Sequence, residues 1–446
     1  MKKILALVLA LSLALALCAC GASVDTAQID AINDSLSAIE GQLADLAAGE
    51  NAAEPAEEAE EADAAEEATE ATRSIKVGLL CIGDENDQGY SYNFARGRDA
   101  ATEILAAEGI EVEWVMKWNI GEDSTCVDAN IEAAEEGCEI IFNNSYGFEP
   151  FMLEVAPDYP DIEFVSCTNC ASCFDDLDNT HNAFANIYEG RYVAGVVAGM
   201  KLNEMIEAGE ITEDEAVIGY VGAYSFAEVI SGMTSYFLGA RSVCPSVTMK
   251  VQFVGSWSDA TAEADAAKAL CDEGCVMISQ HSDNTTPATA AQTAGVYHTG
   301  YNADMSGVAP EASLISTRID WSVYFVEFIE AYLNGEELPQ DWCKGFADGA
   351  VVMTDLNEAI AAEGTAEAIE ETIAAIAAGE IDVFDTSTFT VGGEEVTTCF
   401  AIDTDGDFTA DSEEAVYEGA FHESVFQSAP YFALQIDGIE WLNAAY

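Results

Sequence analysis

From residue 75 onward, short apolar runs alternate with longer amphipathic stretches. IKVGLLCI (75–82) is an unbroken apolar run of strand length, and GDENDQG (83–89) after it has the Gly/Asp/Asn texture of a loop. An amphipathic helix is predicted from there to about Ala107. The unit repeats: IEVEWV (110–115) and a helix around 124–136, EIIFNN (139–144) and a helix near 149–156, then IEFVSC (162–167). A helix over 187–204 opens a second series, with strands AVIGYVGA (216–223), TMKVQFV (248–254), CVMISQ (275–280), VYHTGY (296–301) and ASLISTRI (312–319), the last feeding a helix over 322–334. Unbroken apolar strands that alternate with helices predict parallel sheets covered on both faces. Two such series predict an α/β fold of two doubly wound lobes. Ligands of such sheets sit beyond the carboxyl ends of the strands, here in the cleft between the lobes.

The first 74 residues read differently. Met1-Lys2-Lys3, the apolar run 4–17 and the small residues after it form a secretory signal peptide, 1–19. Its apolar run is shorter than the ~20 residues a spanning helix needs. Leu17-Cys18-Ala19-Cys20 resembles a bacterial lipobox, which makes Cys20 the expected lipidation site and the extracytoplasmic face of a bacterial membrane the expected location. Ile29, Ile32, Leu36, Ile39, Leu43 and Leu46 form a short heptad seam within 20–48, and an acidic, Ala-rich linker over 49–74 has nothing large to bury. The expected organisation is therefore leader, stalk, tether and body. In the body, 75–185 with 321–346 make lobe one, 186–320 make lobe two, and 347–446 complete both.

Charge narrows the partners. With 14 Lys+Arg against 82 Asp+Glu, the formal net charge is −68, a field that repels nucleic acid. Catalytic and metal motifs are not found: GxGxxG after a strand, GxxxxGK[ST], GxSxG and HExxH are all missing, and the histidines show no metal spacing. No catalytic residue, metal or cofactor is expected. Cys167, Cys170 and Cys173 form the densest thiol group, open to a disulfide or to free thiols. Asp403, Asp405, Asp407, Asp411 and Glu414 follow the spacing of a calcium loop, but Phe408 stands where its sharp turn wants glycine, so a hairpin turn at Asp405-Gly406 is the simpler reading.

Several stretches occur in order and with spacing that resembles the basic membrane protein (BMP) family of bacterial substrate-binding lipoproteins. They include GDENDQGYSYNFARGR (83–98), IYEGRYVAGVVAG (187–199), GSWSDATAE (255–263) and ISQHSDNTTPATAAQTAGVYHTGYNADM (278–305). The resemblance spans 75–446. It implies a type I periplasmic-binding fold of two Rossmann-like lobes, with crossovers near Asn186, Asp320 and 345–349. It further implies an ABC importer whose permease is the partner, and a purine base or nucleoside as ligand. Flat rings call for aromatic walls and a few polar readers. The candidates at strand ends are Asp87, Tyr90, Asn144, Ser145 and Tyr146 in lobe one. In lobe two they are Phe226, Trp257, His281, Asp283, Asn302 and Asp304, with Trp321 at a crossover. Some nucleoside-binding relatives carry a GVDxDQ-like segment where this chain has Gly300-Tyr301-Asn302-Ala303-Asp304-Met305, a departure that favours a free base. The alternatives are a surface sensor of the same fold, a different solute such as a sugar, and a surface hydrolase using His281 with Asp283.

Overall fold

The computed structural model describes residues 73–169, 171–173, 177–403 and 410–445. The leader, Cys20, the heptad seam and the tether through residue 72 lie outside the described residues, as do Cys170, Asp405 and Asp407, while Arg73 and Ser74, expected in the tether, begin the first strand. The strands are β1 (Arg73–Leu80), β2 (Ile110–Lys117), β3 (Ile140–Asn143), β4 (Glu163–Ser166), β5 (Thr180–Ala183), β6 (Val217–Gly222), β7 (Thr248–Phe253), β8 (Met277–Gln280), β9 (Tyr297–Tyr301), β10 (Ser313–Ile319), β11 (Asp341–Trp342) and β12 (Val351–Met353). The helices are α1 (Tyr90–Ala107), α2 (Ser124–Glu135), α3 (Glu149–Val155), α4 (Ile187–Ala208), α5 (Ala227–Val243), α6 (Ala260–Asp272), α7 (Thr286–Ala294), α8 (Trp321–Asn334) and α9 (Thr365–Ala377).

One sheet has the order β11-β5-β4-β3-β1-β2 and is parallel throughout. The other begins β12-β10-β9-β8-β6-β7 and is parallel except for the antiparallel β10–β12 pair. The chain passes between sheets after β5, between β10 and α8, and between β11 and β12. This is the doubly wound α/β architecture that the alternating pattern predicts. Helices cover both faces, so Val77, Leu79, Ile140, Ile141, Phe142 and Val165 are all fully buried whichever way they point.

Aspartates at the strand-to-helix turns fix where the helices start. Asp123 accepts from the Thr125 amide, Asp259 from Thr261 and Ala262, and Asp320 from Ser322. Each such cap is worth about 1 kcal/mol. In the second lobe, α4 and α5 touch backbone to backbone. A Cβ on Gly195 would lie 2.0 Å from the Tyr236 carbonyl oxygen, and one on Gly239 would lie 2.0 Å from that of Tyr192. The small-residue run GRYVAGVVAG is therefore a packing surface.

Two features carry no apolar signal. Strand β5 reads Thr-His-Asn-Ala, yet all four residues are buried. Its polar side chains are paired: Asn182 donates to Asp341 Oδ1 at 3.1 Å and to Ser428 Oγ at 2.8 Å. Beyond α9 the chain forms the ribbons β13–β14 (Thr390–Val391, Glu394–Glu395), β15–β16 (Phe400–Ile402, Ser412–Glu414) and β17–β18 (Val416–Tyr417, Ala420–Phe421). It then adds β19 (Ile439–Trp441), parallel to β7, at the edge of the second sheet. The acidic loop of 403–414 has already used Glu414, whose carboxylate accepts from Thr398 Oγ1 and the Cys399 and Val416 amides.

Candidate ligand-binding site

The carboxyl ends of both sheets face one cavity. From the first lobe it is lined by Ile82, Tyr90, Ser145, Tyr146, Cys167, Thr168 and Phe184. From the second come Glu228, Trp257, His281, Asp283 and Tyr301. Six residues expected from sequence meet here: Tyr90, Ser145, Tyr146, Trp257, His281 and Asp283. Phe226 stands just behind them. Its ring stacks on Tyr146 (centroids 5.3 Å apart, planes 17° apart) and on Tyr224, which meets Trp257 edge-on at 5.0 Å.

The lobes touch directly across this cavity. Tyr90 donates its amide to Asp283 Oδ1 at 3.2 Å, and its hydroxyl donates to the Cys167 carbonyl at 3.2 Å. A Cβ on Gly89 would fall 2.3 Å from the Asp283 carbonyl carbon, so only glycine allows this approach. The stacked Tyr146 and Phe226 rings close the other side.

The second lobe supplies an ordered chain of ionisable groups. Arg191 on α4 is buried; it donates through Nη1 to the Gln280 carbonyl at 2.9 Å and through Nη2 to His281 Nδ1 at 3.2 Å. An arginine can only donate, so His281 Nδ1 accepts and its proton sits on Nε2. Nε2 then donates to Glu228 Oε1 at 2.8 Å. Burial holds His281 below its usual pKa; the Glu228 charge works against that shift and the Arg191 charge with it. The guanidinium also lies 3.6 Å over the Tyr301 ring. Asp283 takes a second hydrogen bond on Oδ1, from Asn302 Nδ2 at 3.2 Å. Burial first, then the negative charges of Asp87, Glu228 and Glu263, raise its carboxyl well above the usual range, which favours the neutral acid.

The other expected residues do different work. Asp87 caps α1, accepting from the Gly89, Ser91 and Tyr92 amides. Asn144 ties two strand ends together through the Ile82 amide and Ser91. Asn302 holds Asp283. Trp321 is fully buried in the first-lobe core, 4.1 Å from Phe94 by ring centroids, and its nearest approach to the site is through Tyr90. Asp304 is exposed, with its carboxylate on Ser306, outside the lining.

Sequence reasoning passed over Glu228, Arg191, Thr168 and Phe184, and it treated Cys167 only as a thiol. Glu228 did leave a signal, an acid in the first turn of a helix that follows a strand-end aromatic loop. Arg191 left another, as a cation in a run of apolar and small residues. Among the described residues, Cys167 is a free thiol and no cluster of side chains is suited to a metal.

Two doubly wound lobes that meet over an aromatic, acid-lined cavity define a two-lobed solute-binding protein. Residues 74–386 match the Bmp family, described as ABC transporter substrate-binding protein PnrA-like, and the chain belongs to that family. It is 33% identical over 310 residues to a purine-binding protein of Brucella abortus, across 70% of this chain and 83% of that one. It is 29% identical over 316 residues to a Haloferax volcanii protein whose name proposes an ABC transporter glucose-binding role, across 71% and 75% of the two chains. An ABC transporter solute-binding protein of Aeropyrum pernix shares the fold with a TM-score of 0.56 at 17% identity, across 75% and 95%. A substrate-binding protein of an ABC system acts outside the cytoplasm, takes a small-molecule ligand and has a permease as partner. Among the described residues, no helix is long and apolar enough to cross a membrane.

Proposed function

We propose that the cleft binds a neutral purine, a free base before a nucleoside, and presents it to the permease of an ABC importer. The lining of the cavity carries this reading. Five of its residues are aromatic (Tyr90, Tyr146, Phe184, Trp257 and Tyr301), two are carboxyl groups (Glu228 and Asp283), and none is lysine or arginine. Aromatic walls suit a flat ring, and the Glu228 carboxylate in a lining without lysine or arginine disfavours phosphate, so a nucleotide fits poorly. A protonated Asp283 both donates and accepts, which matches the paired ring nitrogens of a purine edge; Glu228 accepts from an N–H or hydroxyl. The likeness to the Brucella protein supports the same class of ligand. A sugar is the second reading, favoured by the name of the Haloferax relative, but it needs more polar side chains than these walls offer. The reading includes no catalytic step.

A thermal-shift panel of purines, nucleosides, nucleotides, pyrimidines, sugars and amino acids tests it. Purine bases should raise the melting temperature with concentration above Kd. A shift with sugars or amino acids alone would overturn the purine assignment. The anchor belongs to the same reading: Cys20→Ala should release the protein from membranes without changing ligand affinity. Retention on membranes would contradict it.

A further inference from the structure

The family match ends at residue 386, and the chain beyond it returns to the ligand site. Strand β19 pairs Ile439, Glu440 and Trp441 with Met249, Lys250 and Val251, and the Leu442 amide continues the ladder to the Val251 carbonyl at 2.9 Å. Asn443 then imitates a strand residue with its side chain. Its Oδ1 accepts from the Phe253 amide and its Nδ2 donates to the Phe253 carbonyl, each at 2.8 Å. Finally, the Ala445 carbonyl accepts from both the amide and the hydroxyl of Ser225, each at 2.7 Å, and the Ala445 amide donates to Ser225 Oγ at 3.1 Å.

These contacts fall on the two loops that carry the second-lobe aromatic wall. Ser225 sits between Tyr224 and Phe226, whose rings stack 5.0 Å apart, and Phe253 ends the strand that leads to Trp257. Trp441 meets Phe253 edge-on at 5.4 Å. Strand β7 lies at the sheet edge without β19, so removing the tail would leave the Phe253 and Ser225 backbone groups to solvent.

We propose that residues 442–445 are a positioning element of the ligand site, which holds Tyr224, Phe226 and Trp257 in the geometry the ring needs. The tail acts through its hydrogen bonds to Ser225 and Phe253. This rests on the cleft being the binding site, and it comes from a segment outside the family match.

The test uses the full chain with Asn443→Ala, Asn443→Asp (which keeps only the acceptor) and Ser225→Ala. Glu440→Ala, exposed on the same strand, is the control. Calorimetric titration with adenine and guanosine is paired with hydrogen exchange of peptides 223–228 and 253–259 and with melting temperatures. Expected are about tenfold weaker binding for Asn443→Ala and Ser225→Ala, an intermediate loss for Asn443→Asp, and faster exchange in those two peptides but not in 144–148. Melting should stay close to the parent. Unchanged exchange with affinity within twofold would overturn the proposal, as would affinity that falls only in step with melting. If the parent binds neither probe, the purine reading fails, and the exchange data still decide whether the tail orders the wall.

Discussion

The two walls of the cavity differ in chemistry although they come from the same kind of sheet. The first lobe offers rings, hydroxyls and backbone: Tyr90, Tyr146, Phe184, Ser145, Thr168 and the Cys167 carbonyl. Its nearby acids are spent on their own lobe: Asp87 accepts from the amides at the start of α1, and Glu122 from Ser145 Oγ and the Gly147 amide. The second lobe brings every ionisable side chain in the lining except the Tyr90 and Tyr146 phenols and the Cys167 thiol, and it orders Glu228 and His281 from behind with Arg191. The first wall thus shapes and the second reads. Ligand affinity should depend on both walls meeting, whereas pH dependence should come from the second alone.

Keeping the walls apart should have the largest effect. Gly89→Leu places a side chain where the Asp283 backbone already lies, so the lobes should remain open. Loss of one whole wall should weaken binding on the order of a hundredfold or more, about 3 kcal/mol. Titration with a purine checks the affinity, and small-angle scattering should show a larger radius with and without ligand. Next comes Trp257→Ala, which removes the ring that joins the second wall to the cleft. It should cost on the order of 1–3 kcal/mol, about ten- to over a hundredfold in Kd, with little change in melting of the free protein because Trp257 is only half-buried.

The titration claim is tested by Asp283→Asn. Asp283 is raised above its usual value in the folded state, so the native protein holds a proton that the unfolded chain has lost. Its contribution is complete below the ordinary aspartate value of 3.8 and is lost as pH climbs toward the raised folded value. His281 is lowered, so it acts oppositely, costing stability as pH falls below 6.5. Melting curves across pH should therefore decline toward alkaline pH in the parent and decline less in Asp283→Asn. Equal slopes would place the charge sensitivity elsewhere. Asp304→Ala should have the smallest effect, less than twofold in affinity by titration, since its carboxylate serves only its own loop.

How much of this was legible in the sequence differs between the same two walls. The parallel strands and their helices announced themselves because a sheet covered on both faces must be apolar at every position. Strand β5 did not, because its burial is secured by polar pairing with Asp341 and Ser428, residues far along the chain. Strand-end position located Tyr90, Tyr146, Trp257, His281 and Asp283. It could not separate residues that face the cavity from those that hold the loop in shape, and so Asp87, Asn144, Asn302 and Asp304 were grouped with them. Glu228 and Arg191 enter only through a three-residue relay between α4, α5 and the end of β8, and such a relay exists only once the fold brings those elements together.

The central claim is that the cavity takes a neutral flat ring between an aromatic wall and an acid-bearing one. Isothermal titration of the unmodified body with guanine, guanosine, guanosine monophosphate and glucose under one set of conditions tests it most directly. The account predicts saturable one-to-one binding of the base, binding of the nucleoside no tighter than the base, and none of the nucleotide. Glucose binding with silence from all three purines would contradict it.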